Sequence, residues 1–201
     1  MIDQLRKVPN QITGIRFVAV PVMWVSASLG ARIYLGVGFI IGLIADLLDG
    51  AVARKLNQTS DFGSKFDSIT DQFLQISSIA WVLMLMPEIV TDNLLISLVA
   101  LSAYFMSLAV GLIKFKNLAN LHLYISKVGG LFLYLFLIHA FMVGRYSQAL
   151  FMLAGLFFIL SSLETLILQL TLSEVDAHIG SIFLQFLRDD HPIRYYLSLL
   201  P

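Results

Sequence analysis

Long apolar stretches interrupted by short polar segments dominate the chain. A helix that crosses the hydrocarbon core of a bilayer needs about 20 predominantly apolar residues, and six stretches approach that length. They lie at about residues 12–30, 31–53, 67–86, 92–113, 124–144 and 147–170. The pattern therefore predicts an all-α, polytopic membrane protein with six transmembrane helices.

The segments between these stretches are short and carry charge or turn residues. They are Gly30-Ala31-Arg32, residues 55–65, Pro87-Glu88, residues 114–120 and Gly144-Arg145-Tyr146. Because none of them is long enough to hold a second domain, we expect residues 1–201 to form one membrane domain. Apolar residues at spacings of three and four in residues 173–201, and more weakly near the amino terminus, predict short amphipathic helices on the membrane surface.

Composition agrees with a membrane protein and narrows the possible chemistry. Of the 201 residues, 58% are hydrophobic and 13% are charged, and the mean hydropathy is +0.85. Thirteen Lys and Arg balance thirteen Asp and Glu, so no basic excess indicates nucleic-acid binding. The chain has no cysteine, which excludes disulfides and thiolate chemistry and leaves oxygen ligands and imidazole for a metal.

The positive charges are divided unevenly between the two sides of the predicted helices. With a cytoplasmic amino terminus, only Arg32 and Arg145 fall on the outer side. The cytoplasmic set is Arg6, Lys7, Arg16, Arg54, Lys55, Lys65, Lys114, Lys116, Lys127, Arg188 and Arg194. Since cytoplasmic loops carry the excess of Lys and Arg, we expect both termini in the cytoplasm and, in a bacterium, location in the cytoplasmic (inner) membrane.

Four aspartates around the junction of the second and third spans form the candidate chemical site. At about 100° per residue, Asp46 and Asp49 lie about 60° apart on one helix, and Asp67 and Asp71 lie about 40° apart on the next. The joining loop is short, so antiparallel neighbouring helices would bring the four carboxylates together near the cytoplasmic side. A single interfacial aspartate often only caps a helix, but four in this register indicate a site for Mg²⁺ or Mn²⁺.

Small residues and an arginine follow the first aspartate pair. Gly50 and Ala53 lie one turn apart and would allow a planar group or a backbone to approach, although small residues in membrane helices also serve helix packing. Arg54 carries a fork of donors that suits a pyrophosphate, and it is equally compatible with a positive-inside anchor.

The spacing Asp46-x2-Asp49-Gly50-x2-Ala53-Arg54-x8-Gly63-x3-Asp67-x3-Asp71 resembles, with no departure, the signature of the CDP-alcohol phosphotransferase family. The six-span layout and the segment Pro9-Asn10-Gln11-Ile12-Thr13-x2-Arg16 are also similar to that family. The resemblance implies an enzyme of phospholipid synthesis that transfers the phosphatidyl group of CDP-diacylglycerol to an acceptor alcohol and releases CMP. It also implies a homodimer formed through the third and fourth spans.

The resemblance implies roles for individual residues as well. Two ions of Mg²⁺ or Mn²⁺ would be bound by the four aspartates of the signature, Asp46, Asp49, Asp67 and Asp71. Asp71 would in addition act as the general base. The CDP part of the donor would be contacted by Gly50, Arg54 and Ser60, with Ala53 beside them. The residues expected to close over the nucleotide are Asn10, Gln11, Ile12 and Thr13.

The sequence says less about the acceptor. Our leading hypothesis is glycerol 3-phosphate, as in a phosphatidylglycerophosphate synthase, and the alternatives are phosphatidylglycerol (as in a cardiolipin synthase), serine and inositol phosphate. Ser68 and Gln72 depart from the residues that the glycerol-phosphate enzymes usually carry. Lys127, and with less weight Lys114 and Lys116, are candidates for binding the acceptor phosphate or else positive-inside anchors.

Two other classes of protein stay open. Intramembrane carboxylates also mark the pathways of ion or proton transporters, and aspartates can bind partners in a non-enzymatic membrane subunit. A transporter predicts acidic residues near mid-membrane and often inverted repeats, neither of which is apparent in the sequence. Glu164 in the sixth span is a further functional candidate or a protonated packing residue, and His139 in the fifth is expected to hydrogen-bond between helices.

Overall fold

The computed structural model describes residues 7–56, 58, 60–115 and 124–171, and these residues are helical apart from short turns. The helices of the described part are α1 Val8–Ser28, α2 Arg32–Lys55, α3 Asp61–Leu85, α4 Glu88–Thr91, α5 Leu94–Phe115, α6 Tyr124–Val143 and α7 Gln148–Thr171. The predicted all-α fold is confirmed. The predicted amphipathic terminal helices lie outside the described residues.

Six long helices correspond to the six predicted spans. By length and composition, the segments of the described part that can cross a membrane are Arg32–Ala53, Leu94–Phe115, Ile125–Val143 and Gln148–Thr171. Helices α1 and α3 are about as long, but polar residues in their sequences keep them outside this set. The chain is thus a helical multi-pass membrane protein in which α1 and α3 complete the bundle.

The helix boundaries follow local capping and turn chemistry. α3 begins at Asp61 rather than near residue 67, because the Ser60 hydroxyl caps it by accepting a 3.2 Å hydrogen bond from the Gly63 amide. Part of the polar segment predicted as a separator is therefore helical. The turns after α1 and α6 contain Gly30 and Gly144 with φ of 68° and 75°, a conformation that glycine adopts without steric cost.

The packing order places α1, α2 and α3 together. α1 packs against both α2 and α3, α2 packs against α6, and α7 packs against α5 and α6. The expectation that α2 and α3 pack directly on each other is wrong, because their backbones hardly approach and α1 bridges them. An aromatic core joins α2, α3 and α6: the ring of Phe39 stacks on Phe141 and meets Trp81 edge-on, each with centroids 5.9 Å apart. Since these three side chains are fully buried, the core fixes α2 and α3 relative to each other beyond the aspartate-bearing turns.

Polar contacts join both ends of α5 to α7. At one end, the Gln148 amide nitrogen donates a 2.7 Å hydrogen bond to Asn93 Oδ1. At the other end, Lys114 Nζ donates to the backbone oxygens of Gln169 and Leu170, at 2.7 and 3.1 Å. Lys114 therefore satisfies carbonyl groups at the carboxyl end of α7 that have no partner within the helix.

Candidate functional site

Four aspartate side chains of α2 and α3 converge on the guanidinium group of Arg16 in α1. Nη1 of Arg16 lies 3.1 Å from Asp46 Oδ1, 3.3 Å from Asp49 Oδ2 and 2.9 Å from Asp67 Oδ1. Nη2 of Arg16 pairs with Asp71 Oδ1. The four acidic residues of the signature therefore face one point where α1, α2 and α3 meet, and we call these four residues with Arg16 the aspartate cluster.

The aspartate cluster is closed on one side and accessible on the other. The Arg16 side chain is only 1% exposed, whereas the side chains of Asp46 and Asp71 are 37% and 34% exposed. Asp49 is buried as well. A ligand can consequently approach the outer carboxylates, while the guanidinium and the Asp49 carboxylate form the floor of the site.

The first turns of α1 position the floor of the cluster. The Thr13 hydroxyl lies 3.1 Å from Asp49 Oδ2 and 3.2 Å from the Pro9 carbonyl oxygen, so it can donate its proton to either. Asn10 is buried one turn earlier. A Cβ placed on Gly63 would lie 2.7 Å from Asn10 Oδ1, which shows how closely the starts of α1 and α3 approach. The segment predicted to close over a nucleotide thus borders the aspartates.

The other predicted binding residues lie around this region. Gln11 is exposed and Ile12 half-buried on α1, and Gly50 and Ala53 are half-buried in the last turns of α2. Ser60 is the amino-terminal cap of α3. Lys127 is exposed in the first turn of α6. Arg54 belongs to α2, but its side chain lies outside the described part of the chain.

Sequence reasoning missed two residues of this site, Arg16 and Tyr134. From sequence, Arg16 counts as a positive-inside charge at the end of the family-like segment, with no role in the site, and Tyr134 as a lipid-facing or packing residue. In the structure, Tyr134 of α6 interacts electrostatically with Arg16, Asp46 and Asp71. The available signal for Arg16 was a charged side chain about one turn inside the predicted stretch 12–30, which normally requires an acidic partner. No comparable signal distinguished Tyr134 from the other aromatic residues of α6.

The donor set of the cluster fits a divalent cation. One carboxylate oxygen from each of Asp46, Asp49 and Asp67 can be chosen so that all three lie within 4.8 Å of one another. Oxygens bound at about 2.1 Å to one Mg²⁺ ion lie at most about 4.2 Å apart. The three carboxylate oxygens would therefore have to move only slightly closer together to share one ion. Carboxylate oxygens are also the ligands that hard cations prefer. The residues present are therefore able to hold a divalent metal ion.

A bundle of long apolar helices in which two helices bring four carboxylates to one point beside a third defines a class: a multi-pass membrane protein with an acidic cation site. Comparison with protein families narrows the class. The sequence profile of the CDP-alcohol phosphatidyltransferase family matches residues 6–174, which is most of the chain. The chain belongs to this family, as the signature predicts.

Several bacterial proteins are similar to part of the chain. Each is called a CDP-diacylglycerol--glycerol-3-phosphate 3-phosphatidyltransferase. The protein from Rickettsia typhi is 32% identical over 74 residues, covering 35% of this chain and 41% of that protein. The protein from Wigglesworthia glossinidia brevipalpis is 33% identical over 72 residues (34% and 40%), and that from Rickettsia bellii 36% over 70 residues (33% and 38%). These matches span about two-fifths of the relatives' length. No solved structure matches the chain significantly.

Proposed function

We propose that this chain transfers the phosphatidyl group of CDP-diacylglycerol to glycerol 3-phosphate and releases CMP. The observation that carries the proposal is the convergence of the four signature aspartates at one point, in a chain of the CDP-alcohol phosphatidyltransferase family. The choice of acceptor is supported by the similar bacterial proteins, whose name specifies glycerol 3-phosphate. The reaction would take place at the cytoplasmic side of the inner membrane, because the distribution of Lys and Arg favours an orientation with the cluster on that side.

The proposed reaction requires a base for the acceptor hydroxyl. The hydroxyl oxygen forms a bond to the β-phosphorus of the donor, the bond between that phosphorus and the CMP oxygen breaks, and the hydroxyl proton passes to Asp71. A general base acts within hydrogen-bond reach of the proton that it accepts, about 2.6–3.2 Å. Asp71 suits this role because its side chain is 34% exposed at the accessible edge of the cluster.

All four carboxylates, that of Asp71 included, would bind metal. We propose that Asp46, Asp49, Asp67 and Asp71 hold two ions of Mg²⁺ or Mn²⁺. Bound there, the metal would supply positive charge that stabilises the pyrophosphate and the leaving CMP. The protein's own part is to hold the ligands in place, as the Thr13 hydroxyl does for Asp49 at 3.1 Å.

The nucleotide would lie between the starts of α1 and α3. Their close approach at Gly63 brings Asn10 and the Ser60 hydroxyl to one side of the cluster. Backbone and side-chain donors there suit the polar edges of cytosine and ribose, and we assign Asn10, Gln11, Ile12, Thr13, Gly50, Ala53, Arg54 and Ser60 to this subsite. The acyl chains of the donor would extend between helices into the bilayer.

We assign the acceptor phosphate to Lys127. It precedes Tyr134 by seven residues on α6, so the two lie about 20° apart around the helix and about 10.5 Å apart along it. Tyr134 interacts with Asp46 and Asp71. Lys127 thus lies on the α6 face that carries the tyrosine of the site.

The register of α2 against α6 supports the same assignment. Gly36 contacts Met142, and Gly42 contacts Tyr134, so the two helices run antiparallel. Continued along both helices, this register brings Lys127 level with the turn of α2 that carries Asp49. Lys114 is a weaker candidate, because its ammonium group is bound to the carboxyl end of α7.

The test of the proposal is CMP release by the purified chain. The protein in detergent is given CDP-diacylglycerol, Mg²⁺ or Mn²⁺, and each candidate acceptor in turn. We expect release that depends on glycerol 3-phosphate and is lost in Asp71→Asn. Asp92→Asn is the matched control, because Asp92 lies at the other end of the bundle, where it accepts a hydrogen bond from Tyr146.

The outcomes separate the parts of the proposal. Release with serine, phosphatidylglycerol or inositol phosphate instead would replace the acceptor and leave the donor and the reaction in place. No release with any acceptor under either metal, from protein that is folded by circular dichroism, would refute the transferase. The transporter and subunit alternatives would then gain weight.

A further inference from the structure

We propose that Arg16 is the cation of the aspartate cluster when no metal is bound, and that its guanidinium group leaves the carboxylates when metal binds. The inference rests on the proposed metal site. In this inference, Nη1 of Arg16 and one metal ion compete for the same position between the carboxylates.

The geometry makes the two occupants mutually exclusive. Nη1 of Arg16 lies 2.9–3.3 Å from oxygens of Asp46, Asp49 and Asp67. The same three residues are the ones whose oxygens lie close enough together for a shared ion. An ion bound at about 2.1 Å to the three oxygens that Nη1 contacts would lie between them, where Nη1 now lies. The guanidinium group therefore has to move before the three residues can bind one ion together.

Charge and burial explain why an arginine holds this place. Four carboxylates in proximity repel one another, and a carboxylate at bilayer depth costs about 2.5–3.5 kcal/mol on insertion scales. One guanidinium group that pairs with all four reduces that repulsion. The formal charge of the cluster is still −3, because the single positive charge of Arg16 neutralises only one of the four aspartates. The cluster thus retains a strong attraction for a divalent cation that can replace the arginine.

The present position of Arg16 leaves one of its donors unused. The Arg16 side chain is 1% exposed, yet its Nε donates no hydrogen bond within the described part of the chain. A buried donor without an acceptor is unfavourable by about 1–3 kcal/mol. The present position is therefore favourable because of the carboxylates, and it loses that advantage once metal neutralises them.

The test measures metal affinity and stability in the intact chain. Mn²⁺ binding to the purified protein is followed by the electron paramagnetic resonance signal of free Mn²⁺, and thermal unfolding is followed with and without Mn²⁺. In Arg16→Gln we expect a lower melting temperature without metal and about tenfold tighter Mn²⁺ binding, because a competitor for the ligands has been removed. The stabilisation by saturating Mn²⁺ should be larger than in the parent.

Two further variants complete the test. Arg32→Gln removes an arginine that lies beside Gly144 at the other end of α2, and it should leave the Mn²⁺ affinity unchanged. Arg16→Lys keeps a positive charge but not the two-nitrogen fork, so it should bind Mn²⁺ more tightly than the parent and less tightly than Arg16→Gln. If Arg16→Gln does not fold without metal, the Mn²⁺ affinity of Arg16→Lys relative to the parent decides whether Arg16 competes with the metal.

Each result has a distinct meaning. A parent that binds Mn²⁺ while both Arg16 variants bind it equally or more weakly would overturn the competition and leave the proposed metal site standing. A folded parent that binds no Mn²⁺ would instead refute the metal site itself, and the inference with it. Because binding is measured without substrates, neither result depends on having chosen the correct acceptor.

Discussion

Gly63 allows two segments that are distant in sequence to meet beside the aspartates. A Cβ at this position would lie 2.7 Å from Asn10 Oδ1 and 3.2 Å from the Ser60 hydroxyl oxygen. The glycine of the signature is thus explained by the space available between α1 and α3. A single missing methyl group here permits the amino-terminal segment to reach the cluster.

Lys127 provides a test of acceptor recognition at the level of one side chain. If its ammonium group binds the phosphate of glycerol 3-phosphate, Lys127→Ala should raise KM for that acceptor by about tenfold or more, the loss of one charge-assisted contact. KM for CDP-diacylglycerol should change little, because the nucleotide subsite is assigned to α1, α2 and α3. Steady-state kinetics with each substrate varied in turn measure the KM for glycerol 3-phosphate and the KM for CDP-diacylglycerol separately.

Lys114→Ala is the control for this experiment. Lys114 is bound to backbone oxygens of α7, so its replacement should leave both KM values unchanged. An unchanged KM for glycerol 3-phosphate in Lys127→Ala would exclude Lys127 from the acceptor site.

Some residues of the site could be predicted from sequence and others could not, for a physical reason. The aspartates follow helical spacing within two neighbouring segments, so local geometry brings each pair onto one face. Arg16 and Tyr134 belong to α1 and α6, and only the packing of these helices against α2 brings the two side chains to the cluster. Their role therefore depends on contacts between helices, which the spacing of residues along the sequence does not reveal.

At the scale of helices, polar side chains lower the mean hydropathy by which a membrane span is recognised. α1 and α3 have the length of membrane helices, but α1 carries Arg16 and α3 carries Asp67 and Asp71 into the interior. Apolar stretches predict the existence of all six long helices, whereas the start of α3 depends on a cap. Since the Ser60 cap involves one hydroxyl and one amide, hydropathy could not predict it.

The carboxyl end of α7 offers a test of how one helix stabilises another. Lys114 of α5 donates to the carbonyl oxygens of Gln169 and Leu170 and lies at the negative end of the α7 dipole. We expect Lys114→Met to destabilise the protein by about 1–2 kcal/mol. Thermal unfolding in detergent, followed by circular dichroism, should show a lower melting temperature.

Lys65→Met is the matched comparison for this effect, since it replaces an exposed lysine of α3 by the same residue. It should leave the melting temperature close to that of the parent. Equal melting temperatures for Lys114→Met and the parent would mean that the lysine contributes nothing to holding α7.

At the scale of the whole molecule, the arrangement of the bundle determines what the site can reach. The aspartates lie toward the ends of α2 and α3 that adjoin residues 56–60 in the sequence. In the proposed reaction, an acceptor would enter there from water while the donor kept its acyl chains in the bilayer. The α3 face that carries Ile69, Phe73 and Ile76 is exposed and apolar. It is compatible with lipid or with a second copy, and the homodimer stays a prediction.

The absence of cysteine makes the membrane orientation directly measurable. Leu56→Cys places the only thiol of the chain beside the aspartate end of α2, and Thr91→Cys places it at α4, on the opposite side. Both positions are exposed and neither substitution changes the charge. We expect a membrane-impermeant maleimide to label Thr91→Cys in intact bacterial cells and to label Leu56→Cys only after lysis, because the lysines and arginines concentrate on the Leu56 side. The reverse pattern would put the aspartates outside the cytoplasm and contradict the predicted orientation. Successive loops of a multi-pass protein alternate between the two sides of the membrane, so labelling at these two positions decides on which side the aspartates lie.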